Sequence, residues 1–345
     1  MKHLKLLVAV LLVGTLLMTT SCDILTQFLN PETPPEQPTH VHELKKVSSS
    51  SAGYAVHGVK FHYACACGKL FSDAAGTKPV TRSEVVIRSE TGFDKQVYVA
   101  EDGYELNYCL YEPADLDEKK DLRPLIIFLH GAGERGSDNE AQLKNAILKV
   151  VGDDKDNEWS KSIVIAPQCP NTPGYGTTDV NDPIKWVETN WTKGNYVQAN
   201  VPESKPMHAL AELIKEYVEL DYVDADRVYV VGLSMGGYGT WDLVSRYPEL
   251  FAAAVPICGS GPSDMIDVLK DIPIYTFHGT ADTAVPYSGT QGMYNAIVNA
   301  GGDQILFKTF QGQGHGIWDM AITYTGEAGF PALEDWLFEQ NRLFR

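Results

Sequence analysis

Residues 228–238 read Val-Tyr-Val-Val-Gly-Leu-Ser-Met-Gly-Gly-Tyr, a β-branched run that ends abruptly in Gly232-Leu233-Ser234-Met235-Gly236. A strand that turns tightly into a helix pushes such a serine hydroxyl out over the edge of a sheet. A Cβ at either flanking glycine would clash with the neighbouring strand or helix in so sharp a turn. Ordinary glycine-rich turns share the pattern, but here a buried strand precedes it and a helix that ends before Pro248 follows. The stretch predicts a nucleophile elbow centred on Ser234.

Strands and helices alternate along most of the chain. Apolar runs predict strands at residues 85–87, 95–99, 106–111, 125–129, 163–166, 228–232, 252–257, 273–277 and 305–310. Helical spacing predicts helices near residues 143–150, 204–218, 237–246, 288–300 and 333–337. The run at 125–129 is continuously apolar, as a strand buried on both faces should be. The predicted fold class is therefore α/β, a mostly parallel sheet covered on both faces with an antiparallel lead-in.

Three predicted strand ends carry the groups that acyl transfer needs, in the chain order Ser234, Asp282, His315. Reactive groups gather at the carboxyl ends of the strands in such a sheet, and this order is that of the α/β-hydrolase fold. His315 is predicted to be the base that accepts the serine proton and later protonates the leaving group. Asp282 is predicted to hold the imidazole tautomer and to stabilise the imidazolium. This chemistry requires no cofactor.

Other residues compete for these roles. His130 and His278 each precede a glycine at a strand end, and the sequence favours a role in ordering their loops by hydrogen bonding. Asp264 and Asp271 are alternative acids, but neither lies in a loop directly after a core strand.

The oxyanion of a tetrahedral intermediate needs two preorganised N–H donors. Met235 follows the nucleophile, and Ala132 lies in the loop after the strand that ends in His130. These two amides are the predicted oxyanion hole, although a simple glycine-rich turn would use the same residues around Ala132.

Five motifs together carry a family resemblance. They are Phe-Leu-His-Gly-Ala-Gly-Glu-Arg-Gly at 128–136, Ala-Pro-Gln-Cys-Pro at 166–170, Gly-Leu-Ser-Met-Gly-Gly-Tyr-Gly-Thr-Trp at 232–241, Phe-His-Gly-Thr-Ala-Asp at 277–282 and Gly-Gln-Gly-His-Gly-Ile-Trp at 312–318. The set resembles bacterial esterases related to polyhydroxybutyrate depolymerases and to feruloyl or acetylxylan esterases, often labelled predicted peptidases. The resemblance covers about residues 85–345 and implies an α/β-hydrolase domain, predicted over residues 82–345. It does not imply a substrate, because one fold hosts many functions.

The N-terminus has the pattern of an export signal. Lys2 and Lys5 precede an almost wholly apolar run from Leu6 to Leu17, and Thr19-Thr20-Ser21-Cys22 follows. This resembles a bacterial lipoprotein cleavage site, in which Cys22 is acylated, except that Thr19 stands where leucine is usual. The prediction is a signal peptide at 1–21, a proline-rich tether at 22–39 and a membrane-anchored, exported protein. Ordinary secretion with an unmodified Cys22, or an uncleaved anchor, are the alternatives.

Residues 40–80 predict a small module that carries cysteine and histidine. His42-Glu43-Leu44 and Cys67-Gly68-Lys69-Leu70-Phe71-Ser72-Asp73 resemble a cysteine-bearing module of bacterial surface proteins, but the cysteine pair is Cys65-Ala66-Cys67 rather than Cys-x-x-Cys. A zinc site here would need both thiolates, His42 and a further group such as His57 or His62. A degenerate spacer without metal is the favoured interpretation.

Composition and charge narrow the range of partners. The chain has 345 residues, 44% of them apolar, which suffices for one large catalytic core and a small appendage. The net charge of −17 and the lack of a basic patch disfavour nucleic acid as a partner. Cys169 and Cys258 both end core strands, and either a disulfide or two buried thiols is compatible with the sequence.

The long segment between Pro170 and Ser204 carries Trp186, Trp191 and Tyr196. Loops of this length are more often functional than idle, and flat aromatic faces suit sugar rings or an aromatic acyl group. The hypothesis is a substrate-binding wall for esters on plant polysaccharide fragments, although the same side chains could simply pin the loop. A serine peptidase of the same fold is the alternative enzyme. A non-catalytic surface binding protein is the third possibility, but it would not require the full set of serine, aspartate and histidine.

Overall fold

The computed structural model describes residues 41–118, 120–172 and 184–345. The predicted signal peptide and tether, including Cys22, lie outside the described residues. Within those ranges, every helix is too short or too polar to cross a lipid bilayer.

The N-terminal segment forms two small antiparallel sheets. Its strands are β1 (Leu44–Val47), β2 (Gly58–Val59), β3 (His62–Cys65), β4 (Leu70–Phe71), β5 (Pro79–Val80) and β6 (Val86–Ile87). One sheet has the order β1-β3-β4-β5, and the other pairs β2 with β6. A short helix, α1 (Arg82–Val85), begins with a capping box between Thr81 and Glu84. The strand predicted at 85–87 is therefore shorter than expected and starts one residue later.

A central eight-stranded sheet follows. Its strands are β7 (Phe93–Val99), β8 (Glu105–Tyr111), β9 (Arg123–Leu129), β10 (Ile163–Pro167), β11 (Val223–Leu233), β12 (Ala253–Ile257), β13 (Ile274–Gly279) and β14 (Ile305–Phe310). The strand order is β14-β13-β12-β11-β9-β10-β8-β7. Neighbouring strands in the part of the sheet ordered β14-β13-β12-β11-β9-β10 pair in parallel. Strand β8 pairs antiparallel with both β7 and β10. The mostly parallel sheet with an antiparallel lead-in is thus confirmed.

Helices cover both faces of this sheet. They are α2 (Ile147–Val150), α3 (Lys205–Tyr217), α4 (Met235–Arg246), α5 (Ile266–Leu269), α6 (Tyr287–Asn299), α7 (Trp318–Ile322) and α8 (Leu333–Glu339). The central strand β9 is buried from Pro124 to Leu129, with Leu125, Ile127 and Leu129 in one apolar cluster and Ile126 and Phe128 in the other. The first cluster contains residues of α3 and α4, and the second contains residues of α2 and α8. Because side chains alternate between the two faces of a strand and both faces are covered here, residues 125–129 are apolar at every position.

The helix predicted near residues 143–150 is interrupted. A 3₁₀ turn spans Ala141–Leu143, and α2 begins only at Ile147. Ala146 between them has φ 59°, and its N–H donates to Asp319 Oδ1 on α7 at 3.2 Å. The predicted apolar face is correct, but at Ala146 the backbone has a positive φ and its N–H bonds to a residue far along the chain, so the helix starts only at Ile147.

Candidate active site

Ser234 lies where β11 turns into α4, with φ 54°, and its N–H donates to the carbonyl oxygen of Ile257 at 2.8 Å. A positive φ is strained for a residue with a Cβ, and such strain concentrates at functional sites. A Cβ on Gly236 would overlap the carbonyl oxygen of Leu129 on β9, and one on Gly232 would overlap that of Gly236. The steric requirement for both glycines is therefore confirmed.

His315 joins the serine to an acidic group. Its Nε2 lies 2.7 Å from Ser234 Oγ, and its Nδ1 lies 2.7 Å from Asp282 Oδ2. Because a carboxylate can only accept, Nδ1 carries the proton, and Nε2 is left to accept the proton of the serine hydroxyl. Asp282 follows β13 and His315 follows β14, so the sheet brings together three side chains that are far apart in sequence.

Asp282 is completely buried as a side chain. Its Oδ1 accepts hydrogen bonds from the backbone N–H groups of Ala284 at 2.8 Å and Val285 at 3.0 Å. Burial alone would raise the pKa of Asp282, but hydrogen bonds from His278 and His315 and from these amides hold the pKa well below its usual range. The acid therefore stays ionised and can stabilise a protonated His315.

His278 contacts the same carboxylate from inside the protein. Its Nε2 lies 3.0 Å from Asp282 Oδ2 and 3.2 Å from the carbonyl oxygen of Val285. Its Nδ1 lies 2.7 Å from Thr290 Oγ1, whose hydroxyl donates to the carbonyl oxygen of Gly259 at 2.6 Å. His278 is fully buried and does order its loop, but the sequence did not indicate its contact with Asp282. The only available signal was its position four residues before that aspartate.

His130 is the other histidine that was considered as a base, and it is buried behind the site. Its Nδ1 donates to the carbonyl oxygen of Gly131 at 2.6 Å, and its Nε2 accepts from the N–H of Cys169 at 2.9 Å. Burial lowers the pKa of His130 to about 4. The neutral imidazole thus orders the loop after β9, as predicted.

That loop lies against the nucleophile, since a Cβ on Gly131 would come 3.5 Å from Ser234 Cβ. Ala132 begins a 3₁₀ turn, and Met235 begins α4. The first N–H groups of a helical segment have no acceptor within it, so both amides are suited to bind an oxyanion. Arg135 Nε donates to the carbonyl oxygen of Ala132 at 2.9 Å, which fixes the orientation of this segment and was not foreseen from the sequence.

The predicted aromatic wall requires a correction. Trp186 has 0% exposure, and its indole N–H donates to the carbonyl oxygen of His130 at 3.1 Å. Tyr196 has 7% exposure, and its hydroxyl donates to Asp242 Oδ1 at 2.8 Å. Both side chains pin the segment to the body of the protein and cannot offer a flat face to substrate.

Trp191 differs from the other two because it is only partly buried. Its ring lies beneath two cations, with the Arg135 guanidinium 5.7 Å and the Lys185 ammonium 5.2 Å from the ring centroid. Since Arg135 also binds Ala132, Trp191 is connected to the predicted oxyanion loop through one side chain. It is the one member of the predicted wall that is only partly buried.

The alternative acids and the core cysteines lie outside the line of hydrogen bonds that contains Ser234, His315 and Asp282. Asp264 accepts from the N–H groups of Gln198 and Ala199 and so anchors the long segment, and Asp271 is exposed. Cys169 and Cys258 are buried thiols that are not bridged, and burial raises the pKa of both. Neither thiol is therefore suited to act as a nucleophile.

Comparisons with known proteins agree with this architecture. A family model described as Phospholipase/Carboxylesterase matches residues 116–324. A bifunctional acetylxylan esterase/xylanase of Neocallimastix patriciarum is 25% identical over 195 residues, which cover 56% of this chain and 24% of that protein. A poly(3-hydroxyalkanoate) depolymerase C of Paucimonas lemoignei is 28% identical over 144 residues, which cover 40% of this chain and 28% of that enzyme. The fold is similar to the crystal structure of a thermostable esterase, with a TM-score of 0.58 and 28% sequence identity, and the superposed region covers 83% of this chain and 74% of the esterase chain. The chain thus matches only about a quarter of the length of the two curated relatives, while the esterase fold and the predicted resemblance are confirmed.

Proposed function

We propose that this chain, which belongs to the phospholipase/carboxylesterase family of α/β-hydrolases, is a serine esterase that hydrolyses acyl or feruloyl esters on plant polysaccharide fragments. The observation that carries the proposal is the continuous line of hydrogen bonds from Ser234 through His315 to Asp282, with both contacts at 2.7 Å. Nucleophile, base and orienting acid are recognised by this geometry rather than by their sequence positions.

In the proposed reaction, Ser234 Oγ attacks the ester carbonyl carbon while its proton passes to His315 Nε2. The carbonyl oxygen becomes an oxyanion that accepts hydrogen bonds from the amides of Ala132 and Met235. The carbon–oxygen bond to the alcohol then breaks, and His315 returns its proton to the departing oxygen. Water attacks the resulting acyl-enzyme, again with His315 as base, and releases the carboxylic acid and Ser234.

Two observations favour a carbohydrate ester as the substrate. One relative named above is an acetylxylan esterase/xylanase by its description. The partly exposed indole of Trp191 lies beside the loop that carries Ala132, and the hydroxyl of Tyr238 on α4 holds its backbone carbonyl at 3.0 Å. An indole beside this loop would suit contact with a sugar ring or a feruloyl group of the substrate.

The proposed location is outside the cytoplasm, with the protein attached to a membrane through an acylated Cys22. Its support is the apolar run from Leu6 to Leu17 followed by the small residues before Cys22. An anchored exported enzyme meets polymers and fragments too large to import, which fits the proposed substrates.

A substrate panel tests the function. The full chain in detergent is assayed on acetylated xylo-oligosaccharides, feruloylated oligosaccharides, a triglyceride, a peptide amide and nitrophenyl acetate, with the Ser234→Ala variant as the blank. The proposal expects the highest kcat/KM on one of the oligosaccharide esters. Faster cleavage of the peptide would favour the peptidase alternative. Sugar binding without turnover of any ester would favour the non-catalytic alternative.

A further inference from the structure

One imidazole and two thiols meet in the N-terminal sheet, outside the catalytic region. His42 Nδ1 lies 3.4 Å from Cys67 Sγ, and the backbone N–H of Cys67 lies 3.5 Å from Cys65 Sγ. One ligand atom from each of the three residues lies within 4.8 Å of the other two. Neither the esterase chemistry nor the core of the catalytic domain requires this cluster.

The strand register explains why the three side chains meet. Strand β1 pairs antiparallel with β3, so that Leu44 faces Cys65. Continued by two residues, the same register places His42 opposite Cys67. Strand β3 ends at Cys65, and Cys67 lies in the turn that follows, in which the N–H of Gly68 donates to the carbonyl oxygen of Cys65 at 2.9 Å. Gly68 then turns the chain with φ 86°, and the N–H of Cys65 bonds to the carbonyl oxygen of Lys69 at 2.9 Å.

The separations fit a metal site with sulfur and nitrogen ligands. Zinc–sulfur bonds of about 2.3 Å and zinc–nitrogen bonds of about 2.0 Å place pairs of ligand atoms in a tetrahedron about 3.5–3.8 Å apart. The 3.4 Å between His42 Nδ1 and Cys67 Sγ is close to that value. Pairs at the 4.8 Å limit would need to approach by about 1 Å, a movement within reach of a side chain such as the exposed Cys67.

Neither further histidine considered from the sequence completes the site. His57 Nδ1 accepts from the N–H of Ser89 at 3.0 Å, and its Nε2 lies 3.3 Å from Arg88 Nη1. His62 Nδ1 lies 2.8 Å from the carbonyl oxygen of Lys60. Among the described residues, the cluster of ligand atoms within 4.8 Å of one another contains His42, Cys65 and Cys67 and neither of these histidines, so the fourth position is left to water or to an external ligand.

The N-terminal sheet is small and buries few apolar side chains, so a bound metal would stabilise it. Its four-stranded sheet is made of strands of two or four residues, and Cys65 and Phe71 are its buried apolar side chains. The His42 ring packs on Phe71 with ring centroids 4.8 Å apart. Segments of about 40 residues usually need a disulfide, a metal or a partner to hold their fold. Among the described cysteines no disulfide is present, so the thiols of Cys65 and Cys67 can both serve as ligands.

We propose that His42, Cys65 and Cys67 bind one thiophilic divalent cation, of which Zn²⁺ is the common example, and that the ion fastens β1 to the β3–β4 turn. On binding, both thiols lose their protons to solvent, and the two thiolates neutralise the charge of the ion. His42 coordinates as the neutral imidazole. The site has a structural role, and ester hydrolysis does not depend on it.

Metal binding to the full chain tests the proposal directly. The protein is reduced, stripped with chelator, and titrated with Co²⁺ as a spectroscopic probe and then with Zn²⁺ as competitor. We expect one equivalent of either ion per chain, a thiolate-to-cobalt charge-transfer band, and a higher Tm with metal than without. Cys67→Ser and His42→Gln should each weaken binding at least tenfold, while His208→Gln, an exposed histidine on α3, should bind as the unmodified chain does.

Three outcomes would overturn the proposal. The first is no stoichiometric binding by the reduced chain. The second is equal affinity in the Cys67→Ser variant. The third is a Cys65–Cys67 disulfide in protein isolated with Zn²⁺ present, because the pair would then be a redox pair and not a ligand set. Turnover of nitrophenyl acetate should be the same with and without chelator. This measurement tests the metal site independently of the esterase proposal.

Discussion

His278 Nε2 lies 3.0 Å from Asp282 Oδ2, the same oxygen that receives the Nδ1–H of His315 at 2.7 Å. The acid is thus held between two imidazoles, one facing Ser234 and the other buried within the protein. Two backbone amides hold the other carboxylate oxygen. These four contacts together orient the carboxylate of Asp282, and His278 supplies one of them.

Replacing His278 by Asn tests this positioning role. Loss of one hydrogen bond to a charged group costs about 1.5–3 kcal/mol, so we expect kcat to fall about ten- to a hundredfold. KM should change little, because His278 is buried and does not reach the substrate. The same substitution made in an Asp282→Asn background should cause a much smaller loss if His278 acts through the carboxylate. Steady-state kinetics of the four proteins check this. An equal loss in both backgrounds would mean that His278 only supports the fold.

Ser234→Ala should abolish covalent labelling by a fluorophosphonate and lower turnover at least about 10³-fold, because the labelled atom is the activated Oγ. Circular dichroism and Tm should remain close to those of the unmodified chain. Ser263→Ala is the matched control, since this serine bonds to the backbone of Tyr196 and not to His315. Labelling that persists in Ser234→Ala would reject the assignment of the nucleophile.

Trp186 and Trp191 should respond differently to replacement by Ala. Trp186 is fully buried, so its loss should cost about 3–5 kcal/mol of unfolding free energy and affect all esters alike. Trp191 is partly exposed, so its loss should raise KM for an oligosaccharide ester well above any effect on nitrophenyl acetate. Kinetics on the two esters and urea unfolding distinguish these effects. Equal KM changes for both esters in Trp191→Ala would remove it from the proposed substrate site.

The free energy of unfolding should fall as the pH is lowered from about 6.5 to about 4, because of His130. Its pKa is about 4 in the folded protein, whereas an unfolded histidine titrates near about 6.5. Between these values the unfolded chain binds more protons, so folding loses about 3 kcal/mol across the window. Urea unfolding against pH measures the slope, which His130→Asn should flatten. The depressed pKa of Asp282 acts in the same direction but below the usual aspartate range, so the two windows are separate. An unchanged slope in the variant would contradict the assignment to His130.

Cys22→Ser should move the protein from the detergent phase to the aqueous phase if Cys22 carries the lipid. Acyl chains supply about 0.8 kcal/mol of membrane affinity per buried methylene, so their loss is decisive for partitioning. Phase separation followed by immunoblotting measures the shift, and mass spectrometry of the mature N-terminus identifies the modification. Unchanged partitioning would indicate an uncleaved leader or another anchor.

The chain's local patterns determined its architecture. Apolar runs of strand length located the central strands, and the run at 125–129 was correctly interpreted as buried on both faces because none of its positions is polar. The glycines around Ser234 predicted a turn that no larger residue could make, and the order Ser234, Asp282, His315 predicted which loops meet. The strands and the turn were predictable because they depend on side-chain size and on periodicity over a few residues, and the triad was predictable because its three residues follow core strands in the chain order of the α/β-hydrolase fold.

Only the tertiary structure decided which side chains face solvent and which second partners they have. Trp186 and Tyr196 have aromatic side chains of the kind that line carbohydrate-binding sites, but both are buried by segments distant in sequence and anchor their own segment to the protein. The break at Ala146 and the contact of His278 with Asp282 likewise depend on residues brought together by the fold. His42 and Cys67 meet through the register of β1 on β3, 25 residues apart. Burial and long-range pairing are properties of the packed sheet, and a linear pattern carries no information about which distant group will occupy the space beside a residue.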